Sequence, residues 1–192
     1  VGYDYTFGRG GAGNYETLLE LGEKYGFTTE RIEALTINGE VVSSTRIRDL
    51  IQQGRVEEAD PLLGRSYRVE GTVIEGHRRG GPVIGVPTAN LEVTDELVPK
   101  PGVYAVRAEH AGTVYAGVAN VGHNPTFNQD ALSVEVHLFD FSGNIYGEQL
   151  SVAFVRRLRG EIRFSGVEEL KAQIHRDIEE GRRLLLGGDF GD

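Results

Sequence analysis

Gly102-Val103-Tyr104-Ala105-Val106-Arg107-Ala108 is followed by the turn Ala111-Gly112 and by a second apolar run, Thr113 to Val121. Both runs are rich in β-branched and aromatic residues, as strands are. Outward from this pair, Ser66 to Ile74, Ser133 to Phe139 and Glu148 to Phe154 have the same character. Ser142-Gly143-Asn144 marks another tight turn. Short strands linked in this way favour a closed antiparallel barrel, because closure leaves no exposed edge.

The flanks differ. From Val1 to about Leu63 the pattern alternates between α and β. Asn14 is placed to cap a helix with Leu18, Leu19, Leu21 and Tyr25 at roughly helical spacing, and Gly26 ends it. Arg31 to Ile37 reads as a strand, Thr45 to Gln53 as a short helix stopped by Gly54, and Val56 to Leu62 as a further helical segment. After the β region, Gly166 to Leu186 reads as a helix with Ser165 as its N-cap and Glu168 completing a capping box. Its stripe of Val167, Leu170, Ile174, Ile178 and Leu185 is expected to pack on the outside of the barrel. The change of pattern at Leu63-Gly64 predicts domains at 1–62 and 63–187, with 188–192 as a frayed tail.

Composition narrows the class of function. A net charge of −9 over 192 residues argues against an electrostatic nucleic-acid binder but leaves room for a small anionic ligand held by a few local cations. No apolar run reaches about 18 residues, and the first residues lack a basic-then-apolar secretory pattern. The expected partners therefore include neither nucleic acid nor membrane. Cysteine is absent, which removes disulfides and thiolate metal sites and makes a reducing cytoplasm the default location.

Several short motifs carry chemistry. In Pro87-Thr88-Ala89-Asn90, Thr88 and Asn90 are two apart and share one face of an extended strand. Their hydroxyl and amide oxygens are neutral, hard ligands of the kind Mg²⁺ takes alongside substrate phosphates. The preceding loop, Gly76-His77-Arg78-Arg79-Gly80-Gly81, sets Arg78 and Arg79 between glycines. Glycine allows close backbone approach, and arginine contacts phosphate oxygens. In Ser133-Val134-Glu135-Val136-His137-Leu138 the polar side chains take one strand face. Glu135 and His137 are both candidate bases there, and spacing does not separate them. For a lone Glu the plainer reading is a solvated strand face. Ser43-Ser44-Thr45-Arg46-Ile47-Arg48 sets hydroxyls and free N–H groups at a helix start, which attracts phosphate, though most such starts are ordinary caps.

Taken in order, Gly71-Thr72-Val73-Ile74-Glu75-Gly76, the Pro-Thr-Ala-Asn-Leu run, Val121-Gly122-His123-Asn124-Pro125-Thr126-Phe127 and Ser133 to Leu138 resemble riboflavin kinase. Val42 to Arg48 resembles the end of the FMN adenylyltransferase half of the bacterial bifunctional enzyme, FAD synthetase. The resemblance implies an α+β chain: a Greek-key riboflavin kinase barrel with a C-terminal helix, after a truncated Rossmann-like nucleotidyltransferase fragment. It implies transfer of the ATP γ-phosphate to riboflavin, giving FMN and ADP, with Mg²⁺ as cofactor. Glu135 becomes the catalytic base and Thr88 and Asn90 the metal ligands. Gly76, Arg78, Arg79 and Gly80 belong to a flap over the nucleotide. Asn124, Thr126 and Arg159 fall near the flavin, Arg159 within a second flap at Leu158 to Phe164. Ser44, Thr45 and Arg48 are the adenylyltransferase remnant. The family's Gly/His-rich ATP motif has no counterpart here, so truncation and little adenylyltransferase activity are expected. A flavin- or nucleotide-binding module without turnover is the alternative.

Overall fold

Residues 67–159 form six strands because their side chains alternate between a dry interior and a wetter outer face. A computed structural model describes residues 1–75, 85–94, 96–123 and 132–187. The strands are β3 (Tyr67–Ile74), β4 (Ala89–Glu92), β5 (Gly102–His110), β6 (Thr113–His123), β7 (Leu132–Leu138) and β8 (Gln149–Arg159). They close into an antiparallel barrel in the order β3-β4-β7-β6-β5-β8. β8 returns beside β5 after the β5-β6-β7 meander, which is the Greek-key order. The β5–β6 hairpin turns on Ala111-Gly112, with φ of 48° and 79°. Two positive-φ turn residues match the twist of the strands they join. The predicted barrel and its C-terminal helix are both present.

The interior is built from alternate residues: Val69 and Val73, Tyr104 and Val106, Val134 and Val136, Leu150, Val152 and Phe154. Tyr104 and Phe154 meet edge to face at 5.2 Å, and the Tyr104 hydroxyl donates to the Lys100 carbonyl. Two short helices, α2 (Ser44–Gln53) and α3 (Val56–Leu63), add Leu50, Ile51, Val56 and Ala59 to the same apolar cluster. They belong to the compact unit Ser44–Asp192. Gly54, between them, has φ 77°.

A second apolar layer lies outside the barrel. Val103, Ala105, Val118 and Phe139 pack with Ile178, Leu184 and Leu185 of helix α4 (Val167–Leu186). The C-terminal part of the predicted stripe is thus buried as expected, whereas Val167 is exposed. The predicted cap is displaced by one residue. Gly166 is the N-cap, without a side-chain bond. The amide and hydroxyl of Ser165 both donate to Glu169, at 2.8 and 2.7 Å, and Glu168 instead lies 3.6 Å from Lys171. Close docking of α4 depends on Gly181. A Cβ there would lie 2.7 Å from Val118 Cγ1 and 3.2 Å from Phe139 Cζ. Gly181→Val is expected to cost about 1–3 kcal/mol through overpacking, read by urea denaturation. An unchanged midpoint would show that α4 docks loosely.

The unit Val1–Ser43 holds one 3₁₀ turn (Arg9–Gly11), helix α1 (Tyr15–Tyr25) and a two-stranded hairpin of β1 (Thr36–Ile37) and β2 (Glu40–Val41). Asn14 caps α1, accepting from the Thr17 amide at 3.0 Å, and Gly26 closes it in the left-handed region. The expected strand at 31–37 is regular only at its last two residues. Ile32 makes an isolated parallel bridge to Gly2. Tyr3, Tyr5, Leu19, Tyr25, Phe27, Ile32, Leu35 and Val41 are exposed in this unit.

Candidate functional site

Strand β7 puts Val134, Val136 and Leu138 into the core and so turns Ser133, Glu135 and His137 outward. The register then sets Glu135 between two amides. Asn90 of β4 is its partner on one side and Asn120 of β6 on the other. Among the described residues no hydrogen bond reaches the Glu135 carboxylate, and burial pushes its pKa up. A desolvated carboxylate without a donor is a stronger proton acceptor than a solvated one. The His137 Nδ1 lies 2.8 Å from the Pro87 carbonyl. A carbonyl only accepts, so Nδ1–H donates. That bond commits one ring nitrogen of His137 to holding the chain just ahead of Thr88.

Glu135 faces a cleft of about 380 Å³ between the outer face of the barrel and α4. Its polar wall holds Thr88, Asn120, Glu135, His137 and Glu161. Its apolar wall includes Val118, Ile162, Ile174 and Ile178. A partly open cleft with one apolar wall and a few convergent polar groups is a common form of a small-molecule site. Arg159 and Asp177 join β8 to α4 at the cleft. The guanidinium donates through Nε to Asp177 Oδ1 at 3.0 Å and through Nη2 to Oδ2 at 2.8 Å. Its Nη1 donates to the Gly160 carbonyl at 2.9 Å, and Gln173 adds a 2.8 Å bond to Asp177. Asp177 is only 4% exposed.

The structure therefore brings Thr88, Glu135 and Arg159 into one cleft. Asn90 pairs with Glu135 but does not line it. Ser44, Thr45 and Arg48 sit at the start of α2, away from the cleft lining. Gly76, Arg78, Arg79, Gly80, Asn124 and Thr126 lie outside the described residues. Asn120, Glu161 and Asp177 were not singled out by sequence. Asn120 interrupts an otherwise apolar strand, which was the available signal, whereas Asp177 is one charge among many in its helix.

Among the described residues no group of three or more His, Asp or Glu side chains gathers to hold a metal. The Thr88 hydroxyl and Asn90 amide are neutral oxygen donors. That set suits a cation bound mainly through substrate phosphates.

Residues 63–185 match the family described as riboflavin kinase, and residues 1–46 match FAD synthetase. The chain belongs to the riboflavin kinase family of enzymes. The bifunctional riboflavin kinase/FMN adenylyltransferase of Bacillus subtilis is 42% identical over 190 residues, covering 96% of this chain and 59% of that protein. The Haemophilus influenzae protein of the same description is 39% identical, covering 96% and 60%. A solved Streptococcus pneumoniae structure described as a macrolide-efflux protein superposes with a TM-score of 0.81 at 37% identity, over 94% of this chain and 58% of that one. The chain thus spans about three-fifths of the length of these curated relatives. No described helix is long and apolar enough to cross a membrane.

Proposed function

We propose that the chain is a riboflavin kinase, transferring the γ-phosphate of ATP to the riboflavin 5′-hydroxyl to give FMN and ADP. The observation that carries this reading is Glu135: a partly buried carboxylate without a donor among the described residues, in one cleft with Thr88. The 5′-hydroxyl gives its proton to Glu135 as its oxygen bonds to the γ-phosphorus, and the bond from that phosphorus to the β,γ-bridging oxygen breaks to release ADP. Thr88 and Asn90 would hold Mg²⁺ with the ATP phosphates, and the ion supplies charge neutralisation there. The transition state is loose, so positioning matters more than base strength. Arg78 and Arg79, with Gly76 and Gly80, are assigned to nucleotide binding. Asn124, Thr126 and Arg159 are assigned to flavin binding, and Arg159 is held by Asp177.

We further assign 1–62 to the adenylyltransferase part and 63–187 to the kinase. The parent protein would also adenylylate FMN to FAD, in the cytoplasm and without nucleic-acid or membrane partners. Tested alone, this chain is expected to lack that second activity, because Ser44, Thr45 and Arg48 by themselves give one anion site and nothing to orient the reacting phosphate. The deciding assay is riboflavin with Mg·ATP, followed by chromatography that separates FMN from FAD. Folded protein that makes no FMN would overturn the kinase. Flavin binding without ATP consumption would identify a binding module instead. FAD formed from FMN and Mg·ATP would overturn the second assignment. Thr88→Ala is expected to raise the KM for Mg·ATP roughly tenfold, the scale of one lost bond to a charged group, with riboflavin affinity unchanged. An unchanged KM would remove Thr88 from the metal site.

A further inference from the structure

Among the described residues nothing in the fold accounts for Gly122 inside β6. Glycine in a strand interior weakens it, and it persists where a backbone or a ligand approaches closely. Other strand glycines have such a reason. A Cβ on Gly71 would meet the Glu92 carbonyl oxygen at 2.6 Å, one on Gly117 the His137 oxygen at 2.4 Å, and one on Gly102 the Arg159 oxygen at 2.4 Å. At Gly122 no described backbone stands in the way, and its φ is not among the positive ones. A Cβ there would instead lie 3.3 Å from Glu161 Oε1 and 3.5 Å from Asn120 Nδ2. The missing side chain leaves a notch with an amide donor on one side and a carboxylate acceptor on the other.

The notch belongs to the cleft. Asn120 and Gly122 are two apart on β6 and share a face, and Asn120 and Glu161 both line the cleft. Among the described residues neither side chain is committed: Glu161 forms no ion pair, and the nearby Arg159 is taken by Asp177. Asn120 is the cross-strand partner of Glu135, so their Cβ atoms are about 5 Å apart. Gly122 is about 6.6 Å further along the strand. Those distances fall within the length of a five-carbon chain measured from a hydroxyl that rests on Glu135.

We propose that the Gly122 notch is a polyol-reading subsite that seats the secondary hydroxyls of the acceptor's ribityl chain. Asn120 donates to one hydroxyl oxygen, and Glu161 accepts from a neighbouring hydroxyl. The inference rests on the kinase reading and adds to it the residues that distinguish a polyhydroxylated acceptor from a plain alcohol. A buried or enclosed acceptor left without its partner penalises a substrate that lacks the hydroxyl.

The test compares riboflavin with a flavin carrying a 5-hydroxypentyl chain in place of ribityl. Both are measured by fluorescence titration and by steady-state phosphorylation. In Glu161→Ala riboflavin affinity is expected to fall roughly tenfold or more, the scale of a lost hydrogen bond to a charged group, and in Asn120→Ala by about two- to tenfold, the scale of a neutral one. The deoxygenated flavin should lose no affinity, because it never made the bonds, and in Glu161→Ala it should bind equally well or better, because the unpaired acceptor is gone. Gly122→Ala fills the notch without a backbone penalty. It should weaken riboflavin similarly, with an unchanged unfolding midpoint and an unchanged KM for Mg·ATP. Equal losses for the two flavins would overturn the subsite, as would normal riboflavin affinity in Gly122→Ala and Glu161→Ala. Wild-type protein that neither binds nor phosphorylates riboflavin would instead bring down the kinase reading itself.

Discussion

Glu135→Gln is expected to lower turnover by roughly 10²–10⁴-fold, the usual scale of general-base loss, while Mg·ATP binding stays intact. The amide keeps the size of the carboxyl and removes only its capacity to take a proton. Near-normal turnover would reject Glu135 as the base and leave His137 as the next candidate. The same variant should be no less stable than wild type. Burial holds the Glu135 pKa above its unfolded value, so the folded protein binds this proton more tightly than the unfolded chain. Its stabilising contribution is complete below the unfolded pKa and is lost as pH rises through the folded one. At neutral pH the ionised carboxylate therefore opposes folding, and Gln lacks that cost. The metal-free variant should unfold at an equal or higher midpoint at neutral pH, and its advantage should shrink as pH falls. A lower midpoint for the variant at neutral pH would mean that the carboxylate has a stabilising partner.

Asp177→Ala is expected to destabilise the fold by about 3–5 kcal/mol, the scale for removing one partner of a buried ion pair. Arg159, with its side chain 18% exposed, would be left with one carbonyl acceptor and no counter-charge. The double change Arg159→Met with Asp177→Leu should recover most of that loss, because the single change is dominated by the stranded charge. Urea denaturation of the two variants decides it. A loss below about 1 kcal/mol in Asp177→Ala would show that the pair is solvated in solution.

The barrel was legible because its strands are rich in β-branched and aromatic residues, several of them alternate, and β5 and β6 are joined by the tight turn at Ala111-Gly112. The face occupied by Glu135 followed from the same alternation. What stood beside Glu135 did not, because Asn90 and Asn120 arrive from strands 45 and 15 residues away, and pairing register is a property of the closed barrel. The family resemblance places Arg159 near the flavin, yet its partner lies 18 residues on, in a helix whose orientation no local signal fixes. The displaced cap at Ser165 is a smaller case of the same kind. Two adjacent glutamates satisfy one pattern, and only the path of the chain selects Glu169. In Val1–Ser43 the expected strand is mostly irregular, since a strand needs neighbours and β1 has only the two residues of β2.

The bond from His137 to the Pro87 carbonyl has a mechanical consequence. Glu135 and His137 leave β7 on one side and both line the cleft, and His137 also tethers the segment that leads into Thr88. The proposed base and the proposed metal-side hydroxyl are thereby referenced to a single strand, paired on both sides within a closed barrel. A displacement of that strand is therefore expected to carry both groups together. Their positional noise is common-mode, so whatever moves when substrates bind can move without misaligning base and phosphate.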